Sequence, residues 1–316
     1  MKGIRNVVCG IVLILITGDI IAQDVEISKD DYIIYSVKAK KVVKPRAIIK
    51  DFKKYDVLFY GEEHNDSITH RMQTLMLQQI FKKYGKKTVL SMEMFDRDVQ
   101  YILDEYLSGK IKESYFNKDS RQWKNYADYK PMVEFAKENG LDVIAANAPF
   151  RYVNIASHKG LQGLMELSEK AKEAIAPLPY DTATGAYAEK LIALMSHMPA
   201  HKKKDTSSTV QHSPVPSKPS YNIVQGQSLW DATMAYSIYM YKKSHPDARI
   251  LHLNGRFHTE EHFGIVQRLI GYDSGIKSLV ITGEASAEGF PDIDFSKYSH
   301  LGDYIIFTNP KLGKTY

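Results

Sequence analysis

The chain of 316 residues contains a single cysteine, Cys9, which lies inside an apolar run near the N-terminus. Removal of that segment leaves no cysteine at all. Disulfides, thiolate metal ligands and a cysteine nucleophile are then excluded. Any catalysis or metal binding must therefore use His, Asp, Glu, Tyr or Met side chains. A chain of this length buries a substantial core without disulfides or a structural metal.

The chain also lacks a long run of basic residues. Its 42 Lys and Arg are scattered among 37 Asp and Glu, which gives a formal net charge of only +5. Proteins that bind nucleic acid concentrate their cations on one face or along one helix. The charge pattern therefore predicts no nucleic-acid partner.

The first 23 residues have the layout of a secretory signal peptide. Lys2 and Arg5 precede an apolar run at residues 7–17, which is too short to span a bilayer comfortably. We expect residues 1–23 to be cleaved and residues 24–316 to form one domain, exported to the periplasm or secreted. The less favoured alternative is an uncleaved N-terminal anchor. A lipid anchor is not expected, because Cys9 lies within the apolar run and not after it.

From residue 56 onward, short apolar runs alternate with amphipathic stretches. The predicted strands are residues 56–61, 87–94, 141–146, 249–254 and 277–282, and the predicted helices are residues 68–83, 98–108, 129–139, 228–244 and 260–270. Such alternation is typical of βαβ units. It predicts an α/β fold with a mainly parallel sheet flanked by helices. Residues 27–54 are mixed, and we expect an edge strand and a short helix there.

Residues 197–220 are polar and rich in Pro, Ser and Lys. This composition cannot bury enough apolar surface to fold alone, so it predicts a small mobile loop. The alternative is a linker between two domains. The loop is favoured because the same α/β pattern resumes directly afterwards.

Acidic and histidine residues follow most of the predicted strands. In open parallel sheets, ligands bind outside the carboxyl ends of the strands. We therefore expect a functional cleft there, with six candidate residues: Glu62, His64, Glu93, Arg97, Arg151 and His258. Glu93 is the most informative, because it interrupts the apolar run 89–94 and a buried carboxylate needs partners.

Each candidate also has a structural interpretation. Glu62 could cap the following helix, Arg151 and Arg97 could pair with surface acids, and His64 could be an ordinary hydrogen-bonded histidine. As a group, Glu62, His64, Glu93 and His258 are candidate catalytic residues, since a general base can be built from them. Of these, His64, Glu93 and His258 are also candidate ligands for a divalent metal.

Residues His258 and His262 fall in the pattern H-x-x-E-H, in which two histidines one helical turn apart bind zinc. The pattern lies at a predicted strand-to-helix turn, whereas zinc binding of this kind needs both histidines well inside a helix. We interpret it as incidental.

Several stretches, taken in order, resemble one family. The run Gly61-Glu62-Glu63-His64 is similar to the GE-x-H signature of the ChaN-like haem-binding family, which belongs to a superfamily with the TraB/Tiki and erythromycin-esterase-like proteins. Further similarity lies at residues 93–100 (EMFDRDVQ), 106–109, 123–131, 143–151 (VIAANAPFR), 227–235 (QSLWDATMA) and 255–269. The resemblance extends from about residue 56 to residue 280.

The resemblance implies an exported one-domain α/β protein that binds haem and takes part in haem or iron acquisition or handling. It implies haem as the ligand, a homodimer around the haem, and membrane haem-uptake components as partners. The candidate haem-contacting residues are Arg97, Arg151, Tyr152, Gln227 and Asp231. Tyrosine can hold haem iron, but the sequence does not single out one of the 21 tyrosines.

Two alternatives to haem binding remain at this point. The first is a hydrolase, dependent on a metal or independent of one, that uses Glu62, His64, Glu93 and His258. The second is a cleft that serves only as a polar structural network, with the function on a partner-binding surface.

Overall fold

The structure of the protein is a computed structural model, which describes residues 27–197 and 222–315. The predicted signal peptide at residues 1–23 lies outside these ranges. So does the predicted loop at residues 197–220, apart from the backbone of His197.

Eight strands form one sheet, in the order β2-β1-β8-β7-β3-β6-β4-β5. The strands are β1 (Tyr32–Ser36), β2 (Lys41–Val43), β3 (Val57–Glu62), β4 (Thr88–Asp96), β5 (Val143–Asn147), β6 (Arg249–Gly255), β7 (Ser278–Glu284) and β8 (Tyr304–Thr308). The six strands from β8 to β5 are parallel, and β1 pairs antiparallel with both β8 and β2. The parallel strands place their carboxyl ends along one edge of the sheet.

Helices cover both faces of the sheet. They are α1 (Pro45–Asp51), α2 (Ser67–Tyr84), α3 (Gln100–Leu107), α4 (Glu113–Asp119), α5 (Tyr126–Glu138), α6 (Phe150–Met165), α7 (Glu169–Lys172), α8 (Gly185–His197), α9 (Ile223–Ser244) and α10 (Ile265–Tyr272). Along β3, Leu58 and Tyr60 pack into the core under α2 and α5, whereas Val57 and Phe59 pack under α9 and α10. This alternation buries both faces, as a parallel sheet requires. The predicted α/β fold is confirmed.

The sequence predictions missed several helices, among them α6 and α8, and they differ from the structure at two further points. The helix predicted from residue 260 begins only at Ile265, because Glu261, His262 and Gly264 all have positive φ and cannot continue a helix. The strand β8 was not predicted at all. It follows a long irregular segment and adds the last parallel strand, between β7 and the antiparallel edge.

None of the helices in the described ranges combines the length and the apolar character needed to cross a bilayer.

Gly61 lies where β3 approaches the turn after β6. A Cβ at this position would meet the Cα of Arg256 at 2.8 Å and the Oγ1 of Thr259 at 3.1 Å. Because a backbone atom cannot yield as a flexible side chain does, we expect Gly61→Ala to lower the free energy of unfolding by about 1–3 kcal/mol. Urea denaturation measures this change. Gly271→Ala is the control, since a Cβ there meets nothing within 4 Å. Equal unfolding midpoints for the two variants would contradict the expectation.

Candidate functional site

The carboxyl edge of the sheet brings Glu62, His64, Glu93 and His258 into one group, here called the carboxylate–histidine cluster. Glu62 ends β3, Glu93 lies on β4, and His258 follows β6 in a 3₁₀ turn. Gly255, the last residue of β6, lies between them. Its N–H donates to Glu93 Oε2 at 2.6 Å. A Cβ on Gly255 would lie 2.8 Å from His64 Nε2, so only glycine leaves room for this imidazole.

Glu62 is the most heavily bonded carboxylate of the cluster, and only 1% of it is exposed. Its Oε1 accepts from Tyr129 at 2.5 Å and bonds His64 Nδ1 at 2.9 Å, while Oε2 accepts from Gln73 at 2.5 Å. His70 Nδ1 lies 3.4 Å from Oε2. Burial alone would raise the pKa of Glu62, but the hydrogen bonds from His64 and His70 lower that pKa to about 2. The group is therefore a carboxylate at neutral pH.

His64 is oriented by Glu62 and remains accessible. Its Nδ1 is bonded to the carboxylate, and 36% of its side chain is exposed. Its Nε2 makes no hydrogen bond to any residue within the described ranges. Burial lowers the pKa of His64, but the hydrogen bond to Glu62 and the charge of Glu93 outweigh it and raise the pKa. A carboxylate that orients an imidazole with a free nitrogen is the arrangement of a general base.

His258 is buried between two carboxylates. Its Nδ1 lies 2.6 Å from Asp231 and 2.9 Å from the amide of Gln227, and its Nε2 lies 3.5 Å from Glu93. Burial would lower the pKa of His258, but the charges of Glu93 and Asp231 raise it to about 10. The pKa of Glu93 falls in turn to about 2, since the charge of His258 outweighs burial. At neutral pH His258 is a buried cation, whose Nδ1 is held by Asp231.

The three predicted metal ligands adjoin one another without forming a metal site. Across the described ranges, no group of three or more His, Asp or Glu is placed to hold a metal ion. His258 Nδ1 is bonded to Asp231, and Glu93 Oε2 accepts from the Gly255 N–H. In the H-x-x-E-H pattern, Glu261 and His262 both have φ of 60°, so the two histidines are not one helical turn apart.

The two predicted arginines lie outside the cluster. Arg151 forms an ion pair with Asp98 at 2.5 Å, as its structural interpretation proposed, and its guanidinium lies 4.3 Å from the ring of Tyr152. Arg97 donates to Ser237 Oγ at 2.8 Å on α9. The sequence places Arg97 at a strand end, but its side chain bonds α9 and not the residues of the cluster.

Gln227 and Asp231 contact the cluster through His258. They lie on one face of α9, and Tyr187 from α8 donates to Asp231 Oδ2 at 2.8 Å. The sequence did not indicate His70, Gln73 or Tyr187 as members of this network. The signal that could have found the first two is their position three residues apart on the buried face of α2.

The only two tryptophans of the chain flank the cluster, each with its ring edge-on to a histidine. The ring centroids of Trp123 and His64 lie 5.0 Å apart, and those of Trp230 and His258 lie 6.3 Å apart. Beside Trp123 opens a cavity of about 630 Å³, here called the Trp123 cavity; it is lined by Gln122, Trp123, Lys124, Asn125, Ala127, Asp128 and Thr315.

The opposite side of the cluster carries an exposed aromatic surface. Phe150, at the start of α6, is 62% exposed, and its ring lies 6.2 Å from that of Trp230. Arg151 and Tyr152 follow directly in the chain. These four residues are here called the Phe150–Trp230 surface.

Comparison with known protein families matches most of the chain to a single family. The model of the family described as "Haem-binding uptake, Tiki superfamily, ChaN" matches residues 48–269, which is most of the chain. The protein belongs to this family.

One solved structure agrees in fold. The chain is similar to ChaN of Campylobacter jejuni, a structure described by its cofacial haem binding, with a TM-score of 0.61 and 17% identity over 89% of this chain and 98% of that one. An erythromycin esterase mutant in its open conformation gives a TM-score of 0.44 and 12% identity, with 88% and 83% of the two chains covered. The second likeness is too low to bear on function.

One curated relative matches part of the chain. It is the protein RETICULATA-RELATED 5, chloroplastic, of Arabidopsis thaliana, 23% identical over 146 residues. The match covers 40% of this chain and 19% of the relative, so the chain spans about a fifth of that relative's length.

Proposed function

We propose that this protein binds haem on the Phe150–Trp230 surface. The observation that carries the proposal is the match of residues 48–269 to a haem-binding family. Support for the location comes from the chemistry of the ligand. Haem is a flat apolar macrocycle with two carboxylates and an iron atom, so it needs an aromatic wall, a cation and an iron ligand.

The Phe150–Trp230 surface has groups of all three kinds. Phe150 is a large apolar side chain that the fold leaves 62% exposed at the ligand-binding edge of the sheet. Arg151, whose side chain is 50% exposed, offers a guanidinium for a propionate. Tyr152 is largely buried, its hydroxyl accepts from Arg151 at 3.2 Å, and this hydroxyl is the phenol that the proposal assigns to the iron. Bound haem would supply an iron centre at this position.

Gln227 and Asp231 act indirectly in this proposal. Both contact His258, whose ring packs against Trp230 on its other side. They therefore fix the position of the aromatic wall, and the proposal gives them no contact with haem.

Hemin titration of the purified protein tests the proposal. We expect a saturable, shifted Soret band for the wild type. Arg151→Gln and Phe150→Ala should each weaken hemin binding about tenfold, because each removes one anchoring contact. Arg46→Gln, an exposed arginine on α1, is the matched control and should bind as the wild type does. Wild-type spectra that never saturate would contradict haem binding, and normal affinity in both surface variants would contradict the location.

We further propose that the protein is exported and serves haem or iron acquisition. The N-terminal pattern of residues 1–23 and the word uptake in the family description support this. Homodimers and membrane haem-uptake components are the partners it would need. Immunoblots of cytoplasmic, periplasmic and culture-medium fractions test export, and full-length protein confined to the cytoplasm would contradict it.

The Glu62–His64 pair favours a second candidate function, hydrolysis. His64 Nε2 has no hydrogen-bond partner among residues 27–197 and 222–315, and it is close to the Trp123 cavity, whose size suits a small-molecule substrate. In such a reaction His64 takes a proton from water, the water oxygen attacks an ester carbonyl, and the proton passes from His64 to the leaving alkoxide.

A panel of chromogenic esters tests the hydrolase proposal. Turnover should fall at least about 100-fold in His64→Ala and Glu62→Gln, since general-base catalysis is worth this much. His245→Ala, an exposed histidine at the end of α9, is the control. Elemental analysis of the native protein separates a metal-dependent hydrolase from a metal-independent one. Equal turnover in all variants would contradict the proposal.

A further inference from the structure

Two arginines on the α9–α10 side of the sheet, Arg97 and Arg268, have no acid as a counter-ion among the described residues. The guanidinium carbon of Arg97 lies 5.2 Å from the ring centroid of Tyr236. Arg97 donates to Ser237 and, at 3.4 Å, to the carbonyl of Glu173, while its Nε is buried and has no acceptor among the described residues. These neutral contacts satisfy part of the group and leave its charge uncompensated.

Arg268, on α10, is less satisfied than Arg97. Its Nε and Nη2 are both buried and have no acceptor in the part of the chain that the structure describes. Within residues 27–197 and 222–315, no carboxylate lies within 4.0 Å of either guanidinium. A buried guanidinium without a counter-ion is costly, and burial accordingly lowers the pKa of Arg97. A bound anion would supply both the missing negative charge and the missing hydrogen-bond acceptors for these two guanidiniums.

Three half-buried tyrosines line the same region. Their ring centroids lie 5.5 Å apart for Tyr236 and Tyr272, 5.4 Å for Tyr239 and Tyr272, and 6.4 Å for Tyr236 and Tyr239. Burial and nearby Tyr236 raise the pKa of Tyr272 to about 12, although the charges of Arg268 and Arg97 act in the opposite direction. Arg268 and Tyr272 lie four residues apart on α10 and therefore on the same face of that helix, and the ring of Tyr272 lies beside that of Tyr236, over which Arg97 sits. The phenol of Tyr272 stays protonated and can donate.

The negative charge of Asp181 also raises the pKa of Tyr272. It forms no ion pair with Arg97 or Arg268, so it only partly offsets their charge.

We propose that Arg97 and Arg268, with the hydroxyls of Tyr236 and Tyr272, bind a compact oxyanion, either a phosphate or a carboxylate. The oxygens of such a ligand accept from the three buried nitrogens that lack partners, Arg97 Nε and Arg268 Nε and Nη2, and from the phenols. Guanidinium suits this ligand because its N–H groups match the geometry of carboxylate and phosphate. The ligand is either free in solution or a propionate of haem.

Thermal unfolding in sodium phosphate, compared with sodium chloride at equal ionic strength, tests the site. Phosphate should raise the wild-type Tm in a saturable way, since it binds only the folded state. Arg97→Gln and Arg268→Gln should each weaken the apparent phosphate affinity about tenfold. Arg249→Gln is the matched control, because Arg249 is paired with Asp56.

Hemin titration of the same variants distinguishes the two sources of the oxyanion. Lost phosphate binding with normal hemin affinity indicates a free anion, whereas weakened hemin binding indicates a propionate. The site is contradicted when phosphate gives no saturable shift and both variants bind hemin normally. A wild type that binds phosphate but not hemin would reject the haem proposal and leave this one intact.

Arg268→Met keeps the test decisive if the glutamine variants fold poorly. Because it removes an uncompensated buried charge, its Tm in anion-free buffer should equal or exceed that of the wild type. A lower Tm together with unchanged phosphate affinity would assign Arg268 a purely structural role and overturn the proposal.

Discussion

Replacing Glu62 with alanine is expected to lower the free energy of unfolding by about 3–5 kcal/mol, because it leaves a buried polar network without its centre. Three partners lose their acceptor at once: Tyr129 and Gln73, each at 2.5 Å, and His64 at 2.9 Å. His70, which the carboxylate helps to keep charged, loses its nearer counter-ion and retains Asp128 at 3.8 Å.

Urea denaturation followed by circular dichroism measures this loss. Glu105→Ala is the control, since Glu105 is an exposed residue of α3 and its side chain has no part in the network. We expect the control to change the free energy of unfolding by less than about 0.5 kcal/mol. A Glu62→Ala variant within about 1 kcal/mol of the control would show that the network contributes little to stability.

Stability is expected to be highest in mildly acidic solution and to decline as the pH rises above neutrality. The pKa of His70 is raised from 6.5 to about 9 because the hydrogen bond and charge of Glu62 outweigh burial, and that of His258 is raised to about 10. The stabilisation that these two protonated histidines contribute is complete below pH 6.5, the ordinary histidine pKa. It is lost as the pH rises through 9 to 10, where they lose their protons.

The two carboxylates set the acid side of the same profile. The pKa of Glu62 and that of Glu93 both fall from 4.5 to about 2, so their stabilisation is complete above pH 4.5 and is lost as the pH falls toward 2. The histidine and carboxylate terms are therefore complete together between pH 4.5 and 6.5.

Unfolding free energies at about pH 5.5 and about pH 9.5 measure the alkaline decline, which we expect to be at least about 2 kcal/mol. His70→Gln and His258→Gln should each reduce the decline, whereas His245→Gln at the exposed end of α9 should not. A wild type equally stable at the two pH values would contradict the paired-charge description of the cluster.

The central part of the fold and site follows from simple sequence rules. Alternating strand and helix patterns predict the parallel sheet, and the rule that ligands meet the carboxyl ends of strands selects Glu62, His64, Glu93 and His258. The structure brings these four side chains together around Gly255.

Other parts of the site depend on information that local patterns lack. His70 and Tyr187 join the network only because α2 and α8 dock with particular faces toward the sheet. Arg97 follows the strand end that the rule selects, yet its side chain turns toward Ser237. The late start of α10 depends on left-handed residues such as Glu261, which favourable helix composition does not reveal.

An anomalous difference map at the iron edge, from crystals grown with hemin, tests most directly where this family member holds its ligand. The account predicts one iron peak per chain beside Phe150 and Trp230, with the porphyrin against their rings. An iron peak in the Trp123 cavity, or crystals that take up no iron from hemin, would contradict it.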